Sequence, residues 1–153
     1  MSKSELDKAA SYAYRLLGIR ARGEKELEKR LVEKRYTRAI IGEVVSSLKK
    51  QKMLDDYSFA KAWVESRMRS NPRASVLLKR ELESKGIEAS IIERVLSVDK
   101  IEEDSIVRTL ASQKMKALRE LPKEKAKSRL FAFLARRGFN FDTINSAINE
   151  LLK

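Results

Sequence analysis

The chain contains no cysteine and no histidine, and only two prolines and five glycines in 153 residues. Without cysteine there are no disulfides and no thiolate metal sites, which fits a reducing cytosol. Without histidine the commonest general base and the commonest transition-metal ligand are both missing, so few residue types remain for catalysis. Scarce glycine and proline favour long helices over turn-rich sheets. No apolar run approaches the length of a membrane span. The opening stretch, Met1 to Asp7, is too polar and acidic for a signal peptide.

Apolar residues make up 42% and charged residues 37%. That balance is compatible with one compact domain or a few small modules around a real core. Charge of one sign dominates: 34 Lys and Arg against 22 Asp and Glu leave +12. An excess of that size, beyond what solubility requires, implies an anionic partner: nucleic acid, an acidic protein surface or an anionic membrane.

Aligned against itself, the chain repeats with a period of 51 and then 52 residues, carried by five apolar columns. They are Leu27, Leu78, Leu130; Leu31, Leu82, Leu134; Tyr36, Ile87, Phe139; Ile41, Ile92, Ile144; and Val45, Leu96, Ile148. Arg35, Gly86 and Gly138 stand just before the third column. Glycine there reads as a helix C-terminus in which a left-handed residue folds the next apolar side chain back on the last turn, predicting contacts Leu82 to Ile87 and Leu134 to Phe139. Arg35 in that state costs on the order of 1 kcal/mol relative to glycine.

Each repeat reads as three helices. The first fall at about 4–18, 55–69 and 103–119, the second at about 23–34, 72–85 and 123–137, and the third at about 37–51, 88–98 and 140–152. Pro72 and Pro122 suit helix starts. The first helices carry apolar stripes: Leu6, Ala9, Ala10, Ala13, Leu16 and Leu17; Phe59, Trp63, Val64 and Met68; and Ile106, Leu110 and Leu118. The expected fold is all-α, with tandem three-helix repeats at 1–53, 54–99 and 100–153 forming an elongated, curved body. The joints fall at Lys52–Asp55 and Val98–Asp104. Asp55 or Asp56 should cap the helix that follows, and with no third ligand the pair is a poor metal site. Trp63 and Phe59, four apart, read as core rather than as a base-stacking platform.

The positive charge is uneven: 14 basic and 7 acidic side chains in 1–53, 8 and 8 in 54–99, 12 and 7 in 100–153. Lys34, Lys85 and Arg137 align one residue before the helix-ending position and read mainly as caps. Arg15, Arg20 and Arg22 gather at the end of the first helix and its loop, where the helix dipole alone would favour them. Arg67, Arg69 and Arg73 bracket Asn71–Pro72, with Lys79 and Arg80 on the next helix, and suggest a local positive face. Lys123, Lys125, Lys127 and Arg129 oppose the dipole at a helix start, a placement that hints at a partner.

Three strings carry a family resemblance. Leu54-Asp55-Asp56-Tyr57-Ser58-Phe59-Ala60 resembles the LDDxxFA signature of RecX proteins. Asn71-Pro72 followed by Leu78, Glu81, Leu82, Lys85, Gly86 and Ile87 is similar to that family's second-unit motif, and Phe133-Leu134-Ala135-Arg136-Arg137-Gly138-Phe139 resembles its FLARRGF string. The chain departs from the family at Arg35, where members often carry glycine. The resemblance implies tandem three-helix units forming an extended, curved body. It also implies a regulator that binds the RecA filament on DNA, occupies its groove and suppresses strand exchange, ATP hydrolysis and coprotease activity, in recombination, DNA repair and SOS control. Some members also bind DNA. On this reading the chain is a cytoplasmic, monomeric, non-enzymatic protein without cofactor, metal or membrane contact. The contact residues expected from charge and exposure are Arg20, Arg22, Arg67, Arg69, Arg73, Lys79, Arg80 and Arg136. The alternative is a direct, non-specific DNA binder holding single- or double-stranded DNA by its phosphates. Helix 37–51 ends in Lys49, Lys50 and Lys52 but gives Ile40, Ile41, Val44, Val45 and Leu48 to a core, leaving few side chains to read base edges.

Overall fold

The computed structural model describes residues 4–98 and 102–152, except for the side chain of Val98. Nine helices and no strand occur among the described residues: α1 Glu5–Ile19, α2 Glu24–Glu33, α3 Arg38–Lys50, α4 Asp56–Ser70, α5 Ser75–Ser84, α6 Ala89–Val98, α7 Glu103–Lys116, α8 Lys123–Arg136 and α9 Phe141–Leu151. They form three tandem three-helix repeats. Short polar side chains start several of them by accepting a free backbone amide: Ser4 from Asp7 N at 3.1 Å, Thr37 from Ile40 N at 3.3 Å, Asp55 from Ser58 N at 3.2 Å and Asn140 from Thr143 N at 2.8 Å.

The second helix of every repeat stops in the same way. Arg35, Gly86 and Gly138 have φ of 67°, 79° and 88°. The amide after each donates back to the helix, Tyr36 N to Leu31 O at 3.3 Å, Ile87 N to Leu82 O at 3.1 Å and Phe139 N to Leu134 O at 3.4 Å. The left-handed residue's own amide closes the inner ring, to Val32 O, Glu83 O and Ala135 O. These are paired Schellman bonds, the fold-back the repeat pattern predicts. The end of α3 repeats the device unannounced: Lys52 has φ 59°, and Met53 N donates to Leu48 O at 3.0 Å.

Of the fifteen column positions, thirteen are buried, and Tyr36 and Leu96 are half-buried. Packing divides the chain into two compact units, Met1–Trp63 with Glu81–Val95, and Val64–Arg80 with Leu96–Lys153. The first has a core of Ala9, Ala13, Leu16, Leu27, Leu31, Ile41, Val44, Val45, Leu48 and Leu54. In the second, Ala74 joins Val107, Leu110, Ala111, Leu118, Leu130, Leu134, Phe139, Ile144 and Ile148. The middle repeat is thus shared between the two.

Two of the expected helix limits and one expected apolar stripe need correction. α5 begins at Ser75, not at Pro72; a proline biases the preceding Asn71 away from helical angles, and Asn71 to Ala74 form a loop. α7 ends at Lys116 rather than near 119, because Ala117 N and Leu118 N bond three residues back, to Lys114 O and Met115 O, and tighten the last turn. On α4 the buried residues are Ala60 and Val64, while Phe59, Trp63 and Met68 are half-buried. Phe59 and Trp63 stack on each other at 6.2 Å, and the indole N–H donates to Glu81 at 2.9 Å. The expected joint at 98–104 includes residues 99–101, outside the described ones.

Arg35→Gly and Lys52→Gly should each stabilise the chain by about 1 kcal/mol, by removing a side chain from a left-handed residue. Thermal unfolding followed by circular dichroism reads this as a higher Tm; a fall in Tm would show that either side chain contributes more than its backbone strain costs.

Candidate anion-binding surface and the joints that shape it

The second helix of repeat 1 starts at Gly23, whose lack of a side chain leaves the first amides of α2 uncapped from within. Asp56, the first residue of α4, supplies the cap: its Oδ1 accepts the Glu24 amide at 2.8 Å. In repeat 2 the partner is Glu103, the first residue of α7, whose Oε1 accepts Ser75 N at 2.8 Å and Ser75 Oγ at 2.9 Å. Both carboxylates open the first helix of one repeat and hold the first residue of the preceding repeat's second helix. The neighbouring Asp55 caps its own helix, so the adjacent carboxylates divide two tasks where sequence alone suggested one.

At each joint the helix start rests on the glycine that ends the next repeat's second helix. A Cβ on Gly86 would lie 2.8 Å from Lys25 Cβ, and one on Gly138 would lie 2.6 Å from Leu77 Cγ. At the second joint Ala74 N also donates to Arg137 O at 2.9 Å. Arg35 is exposed, so there only the backbone cost applies.

Burial pushes the Asp56 carboxyl above the usual carboxylate range, with Glu24 and Asp55 adding repulsion that the Glu24 amide bond and Lys49 do not offset. A raised value means that the folded chain holds the proton more tightly than the unfolded chain. Asp56 therefore subtracts stability as pH rises through its titration.

The expected contact residues fall into two groups. Arg20 is exposed at the end of α1 and donates to Glu26 Oε1 at 3.0 Å. Arg22 is the correction: it is 7% exposed, its Nε donates to Leu16 O at 3.2 Å, and its Nη1 meets Glu26 Oε2 at 3.0 Å. It ties the end of α1 to α2, so the exposure expected of it is not found. The i, i+4 spacing of Arg22 and Glu26 was the available signal. Burial pushes the Glu26 carboxyl up, but Arg20, Arg22 and Lys85 outweigh it and the net shift is downward.

The other six, Arg67, Arg69, Arg73, Lys79, Arg80 and Arg136, all belong to the second unit. Arg69, Lys79, Arg80 and Arg136 are exposed; Arg67 and Arg73 are half-buried. The loop before α5 and the end of α8 meet directly. Arg137 Nη1 donates to Pro72 O at 2.8 Å, and Arg73 Nε donates to Asn71 O at 3.0 Å. Burial, then the positive charges of Arg73 and Arg136, push Arg137 below the usual guanidinium range. Backbone anchors thereby hold Arg73 and Arg137 at this meeting point, and Arg136 stands next to Arg137 in the chain.

Lys34, Lys85 and Arg137, read as caps, each lie over an aromatic ring: Tyr12 at 5.3 Å, Trp63 at 5.0 Å and Phe133 at 4.9 Å. Trp63 is thus occupied by a cation on its face and a carboxylate on its N–H. A groove of about 720 Å³ between α1 and α3 is lined by residues such as Leu6, Tyr14, Arg38 and Lys50 and includes none of the expected contact residues. Among the described residues no cluster of acidic side chains could hold a metal ion, and no helix is long and apolar enough to cross a membrane.

Comparison with known proteins finds three family models in chain order, described as the first, second and third three-helix domains of RecX, over residues 9–48, 55–96 and 102–148. A protein of Pelodictyon phaeoclathratiforme named Regulatory protein RecX is 32% identical over 99% of this chain and 94% of its own length. The Bacillus subtilis protein of the same name is 32% identical over 96% of this chain and 56% of its own. The crystal structure of RecX from Lactobacillus salivarius superposes with a TM-score of 0.82 over 95% of this chain and 96% of that one, at 23% identity, a likeness of fold.

Asp56→Ala should cost about 1 kcal/mol through the lost cap, whereas Asp56→Asn, which keeps an acceptor oxygen and has no charge to desolvate, should cost less. Relative to Asp56→Asn, the unsubstituted chain should lose stability as pH rises from about 4; equal pH profiles in chemical denaturation would remove the burial argument. Gly86→Ala and Gly138→Ala should each cost about 2–4 kcal/mol, since backbone strain and overpacking add. Losses near 1 kcal/mol, the backbone cost alone, would mean that the joints yield.

Proposed function

The chain belongs to the RecX family of regulatory proteins, and on that premise we propose that it binds the RecA–DNA filament and inhibits its recombinase, ATPase and coprotease activities without chemistry of its own. The observation that carries the reading is the crowding of Arg73, Arg136 and Arg137 where loop 71–74 meets the end of α8. Positive charges gathered at one place attract an anionic partner. Arg67, Arg69, Lys79 and Arg80 extend the positive surface in the same unit, and Arg20 adds a contact from the other. The partner is the acidic and phosphate-bearing surface of a protein filament wound on nucleic acid, and the regulator acts on it in the cytoplasm as a monomer.

Direct, non-specific DNA binding is the second reading, favoured by the exposed Arg38, Lys50 and Lys52 in and just after α3. Ile41, Val44, Val45 and Leu48 are buried, so that helix keeps few groups for base edges, and phosphate contact is the form such binding takes.

RecA ATPase on single-stranded DNA, titrated with this protein at two salt concentrations, tests both. Inhibition should persist at a salt concentration that releases the protein from naked DNA. Reversing Arg67, Arg69, Arg73 and Arg136 to Glu together should raise the concentration for half-inhibition by at least about tenfold. Unchanged inhibition by that variant would remove this surface from the interface, and inhibition that falls with salt in step with DNA binding would favour the second reading.

A further inference from the structure

The face shared by the first and third helices is furnished differently in repeat 1 than in repeats 2 and 3. Two sets of buried positions give the register of the first helices: Ala9, Ala60 and Val107, then Ala13, Val64 and Ala111. The column Ile41, Ile92, Ile144 gives that of the third helices. In repeat 2 an arginine of the chain itself spans the two helices: the Arg94 guanidinium on α6 lies 4.6 Å from the centre of the Tyr57 ring on α4. In repeat 3 Arg108 on α7 lines the groove together with Asp104 and, from α9, Asp142 and Glu150, and about 280 Å³ stays open.

Repeat 1 carries neither arginine. Glu43 stands in register with Arg94, and Ala10 in register with Arg108. Gly42 replaces the larger Glu93 and Asn145 of the other repeats. The groove is accordingly about 720 Å³, with Leu6, Ala10 and Tyr14 along α1 and Gly42 and Glu43 on α3. Packing does not require the glycine: a Cβ on Gly42 would meet nothing within 4 Å, and glycine inside a helix weakens it relative to alanine. Leu6 and Tyr14 are exposed, and the Tyr14 hydroxyl donates to Gln51 Oε1 at 3.0 Å, which holds the ring at the end of α3. The carboxylates of Asp7 and Glu43 line the groove, and neither pairs with a cation among the described residues. The cations on its rim, Arg38 and Lys50, are the first and last residues of α3 and stand about 8 and 11 Å along the helix from Glu43.

We propose that the groove between α1 and α3 receives an arginine side chain of a partner protein, with its guanidinium paired to Glu43 and its methylene stem on Ala10, Gly42 and Tyr14. The other two repeats supply the precedent, since each places an arginine of its own on the equivalent face. Repeat 1 lacks that arginine but has the groups that would hold one: two carboxylates, an aromatic ring and room for the stem. A planar guanidinium meets a carboxylate in two parallel bonds and lies on an aromatic face, which a lysine ammonium does less well. Apolar side chains one turn to either side of the incoming arginine would cover Leu6 and Tyr14, in the manner of a helix laid in a groove. Every lining residue lies between Leu6 and Lys50, and none of the arginines of the filament-binding surface is among them. The inference therefore does not depend on the partner proposed above.

Selection of random peptides displayed on phage tests it, with peptides of about twelve residues, close to the length of α3. The full chain is the target, and the Gly42→Leu chain removes peptides that bind elsewhere. That substitution grows into open space and should leave the helical circular dichroism unchanged; if it does not, Ala10→Arg, which copies repeat 3, takes its place. Peptides enriched on the unsubstituted chain should share an arginine with apolar residues three or four positions away. For the tightest of them, fluorescence anisotropy should show binding at least about tenfold weaker when its arginine is replaced by alanine. Binding should fall by a similar factor on the Glu43→Arg chain, which supplies from within the arginine that repeat 2 carries there. Enriched peptides without arginine would overturn the proposal. So would a lack of enrichment over the filled chain, or binding that survives Glu43→Arg.

Discussion

A carboxylate at the start of one helix capping the start of another is the contact on which the rest of this structure depends. Each repeat contributes three short helices, and a unit of about 50 residues buries too little apolar surface to be secure alone. Asp56 on the Glu24 amide and Glu103 on the Ser75 amide tie successive repeats at the helix starts. The closeness of those helices to Gly86 and Gly138 supplies the van der Waals half of the same joint. The glycines therefore serve two ends: they permit the left-handed residue that terminates a helix, and they leave room for the neighbour.

The same joint organises the charge. Because loop 71–74 must meet the end of α8, the arginines flanking both segments are brought together, and Arg137 is spent on the Pro72 carbonyl and the Phe133 ring. The gathering of positive charge is thus a by-product of the packing geometry, with Arg73 and Arg137 each bonded to a backbone carbonyl of the loop. Arg22 shows the opposite outcome. It precedes Gly23 as Arg73 precedes Ala74, but with Leu16 O and Glu26 within reach it turns inward and becomes part of the scaffold.

Several polar, charged and aromatic side chains that a sequence marks out as candidates for binding or chemistry have structural partners here. The residues that could have suggested chemistry are absorbed by structure: Asp55 and Asp56 as caps, Trp63 between Lys85 and Glu81, and Lys34, Lys85 and Arg137 over their rings. Family membership supplies the regulatory role.

Much of this was legible in the sequence, because helical periodicity and helix stops are local properties. The apolar columns, the number of helices in each repeat and the left-handed residues at Arg35, Gly86 and Gly138 follow from spacing and backbone sterics within a few residues. The family resemblance, too, rests on contiguous strings. What only the tertiary structure decided is which polar groups meet across distance. Asp56 reaches back 32 residues to Glu24, Glu103 reaches 28 residues to Ser75, and Arg137 reaches 65 residues to Pro72. A carboxylate or guanidinium carries no mark of whether its partner is water, a distant amide or another molecule, because that depends on which backbone ends the packed helices bring beside it.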